Sequence, residues 1–172
     1  MNRVVEGAHT NSALWAGGQP HDVKEVVVTR TVDAPTSAVD AVLSPASIVD
    51  MAGTYAVESV EETGDMVVVR AVADRLETVL EFTETAGPYV YQQRDGEGPF
   101  EAMYTSVSVT GDEPATVTAR SCFTFGMPFP RLTDWFVARE RRTELERLLR
   151  GVEAAVLQRT AGGEGSDDRP VA

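Results

Sequence analysis

The chain has 172 residues, enough for one domain that buries about 70% of its unfolded surface without a disulfide or metal staple. Its 15 Lys and Arg stand against 27 Asp and Glu, a formal net charge of −12. So acidic a surface repels phosphate backbones and anionic lipid, which argues against a nucleic-acid or membrane-surface partner.

Lys24 is the only lysine. Abundant carboxylates with almost no lysine read as adaptation to a salty cytoplasm, where salt screens their mutual repulsion. On that reading the melting temperature falls as salt is withdrawn, and a flat or rising curve would overturn it. Cys122 is alone, so no intramolecular disulfide can form. His9 and His21 are the only histidines, both in the first 25 residues. A Ser-His-Asp or Cys-His centre would have to borrow one of them, and a structural zinc site lacks ligands. No apolar run reaches 18 residues and Met1–Gln19 lacks a signal-peptide core, so a cytoplasmic protein without integral membrane association is expected.

Residues 1–24 lack periodicity and read as a flexible arm. Residues 25–32, EVVVTRTV, are β-branched and predict a strand. Pro35 suits a first helical turn, with Val39, Val42 and Leu43 on one face. Ser44-Pro45 can cap and open a second short helix that runs to about Met51 and stops at Gly53. Six strands then follow at 55–62, 66–73, 77–85, 89–94, 100–110 and 115–125, separated by turn residues such as Thr63-Gly64-Asp65 and Gly111-Asp112-Glu113-Pro114. Gly126–Pro130 is a breaker, and a helical pattern continues from about Arg131 to Arg159. Its apolar stripe comprises Leu132, Trp135, Phe136, Leu145, Leu148, Leu149, Val152 and Val156. The stretch Arg139–Glu144 between them is wholly polar and reads as a solvated face, Arg139, Arg141 and Arg142 included. The Gly-rich, acidic residues 160–172 read as a disordered tail.

One long helix is the only element large enough to cover the apolar face of such a sheet. The expected fold is therefore α+β: a seven-stranded curved antiparallel sheet wrapped around the C-terminal helix, with two short helices after the first strand. Where a sheet curves more than its side chains can fill, a cavity remains between sheet and helix. The run VVVTRTVDAPTSAVDAVLSP that ends at Pro45, and the closing helix LTDWFVARERRTELERLLRGVEAAV (132–156), resemble the SRPBCC superfamily of START, birch-pollen-allergen-like and polyketide cyclase/dehydrase proteins. That resemblance covers residues 25–159 and implies the helix-grip fold.

Three functions are compatible with such a domain. One is binding of a hydrophobic small molecule such as a lipid, isoprenoid, quinone or polyketide. Another is a cyclase/dehydratase that needs neither metal nor nucleotide. The third is an interaction module with a filled core. No cofactor is expected. A pocket of about 300 Å³ or more keeps the first two alive, and a buried ionisable pair within it favours the enzyme.

The candidate cavity residues are aromatic, sulfur-bearing or charged: Tyr89, Tyr91, Met103, Tyr104, Phe123, Trp135 and Phe136, with Glu81 and Arg120. A tyrosine hydroxyl could orient a ligand, an inward Glu81 could move a proton, and an inward Arg120 could hold an oxyanion. Outward, each charge would sit in water beside its neighbours. Trp135 or Phe136 could instead form an exposed patch for homodimer contact.

Overall fold

A computed structural model describes residues 23–83, 87–124 and 132–163, with the side chains of 132–135 and 163 outside that description. The expected N-terminal arm up to residue 22, the Gly126–Pro130 breaker and most of the acidic tail lie outside the described residues, while Lys24, expected in the arm, opens the first strand. The elements run β1 (Lys24–Val32), α1 (Thr36–Asp40), α2 (Pro45–Ala52), β2 (Ala56–Thr63), β3 (Met66–Ala73), β4 (Leu76–Thr83), β5 (Tyr89–Gln93), β6 (Ala102–Thr110), β7 (Ala115–Thr124) and α3 (Leu132–Gly163). The strands form one antiparallel sheet in the order β1-β7-β6-β5-β4-β3-β2. This is the expected helix-grip arrangement. The helix α3 runs four residues past Arg159, to Gly163.

Local chemistry explains the borders. Pro35 occupies the N-cap of α1, where it has no N–H to leave unpaired. Ser44 caps α2 with a reciprocal pair: its hydroxyl accepts from the Ser47 N–H at 3.1 Å and the Ser47 hydroxyl accepts from the Ser44 N–H at 2.8 Å. Gly53 ends α2 in the left-handed conformation.

Strand alternation gives the sheet one dry face. Val26 and Val32, Val69 and Ala71, Leu80 and Phe82, Met103 and Val107, and Val117, Ala119 and Phe123 are buried on it. From α3, Leu145, Leu148, Leu149, Val152 and Val156 pack into the same core. α2 adds Ile48 and Val49. The two short helices close one end of the grip, and α2 packs against α3.

Candidate functional site

Between α2, the concave faces of β4–β6 and the N-terminal half of α3 lies a cavity of about 250 Å³. That is somewhat below the 300 Å³ expected of a ligand pocket, so any occupant is small. Val49 and Ala52 of α2 form one wall, Leu80, Tyr91 and Met103 the sheet wall, and Val137 part of the helix wall. Phe136, 56% exposed, stands at the mouth. Apolar groups make up most of the lining.

The rim is fixed by a buried glutamine. Gln93 donates from Nε2 to the Phe100 carbonyl at 2.6 Å and accepts from the Phe100 N–H at 3.2 Å. This side chain holds Phe100 against the cavity as a strand partner would. Gly98 makes the approach feasible, since a Cβ there would collide with Gln93 Oε1.

The polar centre is a rung of hydroxyls across three strands. The sheet register sets Tyr91 beside Thr105, and Thr105 beside Ser121. Arg141 descends on this rung from α3 and is only 4% exposed. It donates from Nε to Ser121 Oγ (3.0 Å), and from Nη2 to Thr105 Oγ1 (2.7 Å) and Tyr91 Oη (3.2 Å). Its Nη1 pairs with Glu144 Oε1 at 2.7 Å, one turn along the helix. Thr105 and Ser121 hydroxyls are 2.9 Å apart. Tyr91 is further held by stacking on Phe82, ring centroids 4.7 Å apart.

Burial alone would pull the guanidinium of Arg141 down, but the Tyr91 and Glu144 oxygens around it hold it above its ordinary value. Tyr55 lines the same cavity. Burial, then the Glu144 carboxylate, push its hydroxyl up, with Arg141 opposing. Tyr55 is thus a neutral hydroxyl at physiological pH.

Of the residues singled out from sequence, Tyr91, Met103 and Phe136 line the cavity. Phe123 lies inward but in the core, its ring 5.2 Å from that of Phe100. Tyr89 also faces inward, at the end closed by the short helices, where its hydroxyl donates to the Leu43 carbonyl at 3.0 Å. The Trp135 side chain lies outside the described residues. Three candidates are corrected by the alternation of their strands. Glu81, between inward Leu80 and Phe82, faces out and pairs with Arg94 at 2.7 Å. Tyr104, between inward Met103 and Thr105, is half-buried on the outer face. Arg120, between inward Ala119 and Ser121, pairs on the outer face with Glu25 at 2.6 Å. Cys122 shares that face, half-buried, and burial pushes its thiol up. Arg70 stands outward as well, 3.6 Å from Glu77. Conversely Phe100, ahead of β6 and outside its alternation, turns to the cavity.

The largest correction is Arg141, expected in water and found at the centre. The stripe itself carried the signal. Counting back from Val152 in helical steps of four or three passes through Leu148 and Leu145, then lands on Arg141 and Val137.

The outer-face pair gives a pH prediction. The hydrogen bond from Arg94 holds the Glu81 carboxyl below its ordinary value near 4.5, helped by Gln92. Its contribution to stability is full above that ordinary value and is lost as pH falls through the lowered one. Glu81→Gln should therefore lower the melting temperature at pH 7, by an amount that shrinks towards pH 3. Thermal scans of both proteins across this range check it; an unchanged gap would remove the pairing as its cause.

No protein-family model matches the sequence, and no curated protein matches it. Solved structures do match in fold. A protein from Thermus thermophilus is 20% identical over 80% of this chain and 99% of its own, with a TM-score of 0.61. An aromatase/cyclase from a Streptomyces species is 19% identical over 84% of this chain and 97% of its own, TM-score 0.59. A START superfamily protein from Mycobacterium smegmatis is 14% identical over 78% and 97%, TM-score 0.60. The chain thus shares the helix-grip fold of these structures. Among the described residues no helix is long and apolar enough to cross a membrane, and no group of His, Cys, Asp and Glu could hold a metal ion.

Proposed function

We propose that this protein binds a small, largely apolar molecule in the cavity between the sheet and α3, with the polar end of that molecule towards Tyr91. The observation that carries this reading is an apolar hollow whose floor bears one built polar cluster, Tyr91 with Arg141 and Glu144. Small-molecule sites combine these two features: apolar walls supply affinity and a few fixed polar groups supply orientation. A filled interaction module would have side chains in that volume. The acidic surface and the lone cysteine support a cytoplasmic protein that does not bind nucleic acid.

A second reading is acid–base chemistry of the cyclase/dehydratase kind. It is favoured by the ionisable pair Arg141–Glu144 inside the cavity wall, beside the hydroxyls of Tyr55 and Tyr91. Binding stands first because the fold's own oxygens already take four N–H groups of Arg141. That leaves it a clamp rather than an open oxyanion donor.

Native mass spectrometry of protein purified from its own source tests the binding reading. The expected result is an apolar adduct that is lost on denaturation. No adduct, together with no binding of naphthyl probes at roughly millimolar concentration, would overturn it.

A further inference from the structure

The balance of hydrogen-bond donors and acceptors around Arg141 deepens the binding reading and rests on it. A guanidinium has only donors. Each hydroxyl that Arg141 touches is therefore the acceptor in that bond and must send its own hydrogen elsewhere. Of Thr105 and Ser121, 2.9 Å apart, one donates to the other, and neither lines the cavity. Tyr91 accepts from Arg141 and makes no other hydrogen bond among the described residues, although it is 4% exposed and lines the cavity. Its hydrogen is a buried donor without an acceptor among the described residues, and a buried donor left unpaired is costly.

We infer that the Tyr91 hydroxyl donates to an acceptor oxygen of the ligand, and that the ligand is a neutral carbonyl compound: a ketone, an aldehyde or a quinone. Arg141 is the positioning residue. It fixes the phenol oxygen from one side, turns its hydrogen away, and strengthens it as a donor through its charge. Neutrality follows from the balance of the lining. Arg141 and Arg147 are matched by Glu140 and Glu144, and Arg141 is already paired with Glu144. Such a wall offers a carboxylate no net attraction, within a protein whose overall charge of −12 repels it. The cavity's size limits the apolar body to about one or two fused rings.

The experiment uses the full chain and three probes of one shape: 2-ethylnaphthalene, 2-acetylnaphthalene and 2-naphthoate, titrated by fluorescence. The ketone should bind about tenfold more tightly than the hydrocarbon, the worth of one well-made buried hydrogen bond. The carboxylate should bind no better than the hydrocarbon. In Tyr91→Phe the ratio of ketone to hydrocarbon affinity should fall to about one. A measurement on the unaltered protein stands beside it: the carbonyl stretch of bound 2-acetylnaphthalene, read by difference infrared spectroscopy, should lie below its value in alkane.

Equal affinities for ketone and hydrocarbon, a preference that survives Tyr91→Phe, or an unshifted carbonyl band would overturn the inference and leave the cavity reading standing. Tightest binding of the naphthoate would overturn the neutrality of the ligand. Failure of all three probes to bind would overturn both readings.

Discussion

Arg141→Met should lower the melting temperature by about 10 °C, a large effect for one side chain in a domain of this size. The loss comes from stranded partners. Arg141 is 4% exposed and satisfies Tyr91, Thr105, Ser121 and Glu144 at once. Methionine fills most of the volume but leaves the Glu144 carboxylate without its ion pair near the cavity wall. Breaking one side of a buried pair costs about 3–5 kcal/mol, and each kcal/mol is worth about 2–4 °C in a domain of this size. Arg141→Lys should fall between the two, since a lysine keeps the charge but cannot reach Ser121, Thr105 and Tyr91 together through one planar fork. The double exchange Arg141→Met with Glu144→Leu should recover part of the loss, because it removes both charges. Scanning calorimetry at pH 7 measures all three. A fall of only a degree or two for Arg141→Met would mean that the guanidinium is solvated and the polar rung is not its seat.

Gly151→Val should cost about 2 kcal/mol, although glycine within a helix is ordinarily a liability of about 1 kcal/mol against alanine. The reason is the approach of α2 to α3. A Cβ at position 151 would stand 2.7 Å from the Met51 Cβ and 2.8 Å from its Cγ. The first of these belongs to the stem of the side chain and cannot swing aside. Overpacking of this kind costs about 1–3 kcal/mol, and valine adds a restricted rotamer. The effect should reach the site, because α2 carries Val49 and Ala52 of the cavity wall and α3 carries the wall opposite. Urea denaturation should give a lower midpoint with an unchanged slope. Partial relief by Met51→Ala is the specific check, since alanine removes the Cγ contact and keeps only the Cβ one. In the Gly151→Val background that second exchange should raise stability, where alone it would only hollow the packing. If the two exchanges simply add, the close approach is not what glycine is there for.

Much of the architecture was legible because it rests on short-range rules. β-Branched runs broken by Gly, Asp and Pro give strands and turns, and six of them in succession with short links leave little choice but an antiparallel meander. The cap at Ser44 and the stop at Gly53 were readable for the same reason: a cap is a contact between residues three apart. Even the long helix was plain from its leucines. The candidate site was only half legible. Tyr91 and Met103 were findable as large apolar groups near strand centres. Glu81, Arg120 and Tyr104 were equally plausible on residue type, and parity removed them. Parity needs the strand register and the identity of the covered face, and a shift of one residue reverses both.

The order of elements, the single sheet, the grip around one C-terminal helix and the absence of histidine from the body of the chain follow from the amino-acid sequence, since each depends on neighbours or on composition. What only the tertiary structure decided is the site's polarity. Tyr91, Thr105 and Ser121 are scattered over three strands, and nothing local marks them as partners. They become one surface because antiparallel pairing sets them side by side, and Arg141 becomes their clamp because α3 lies along that rung. A polar residue on a helix stripe reads as solvated until the groups that satisfy it, distant in the chain, are brought beneath it.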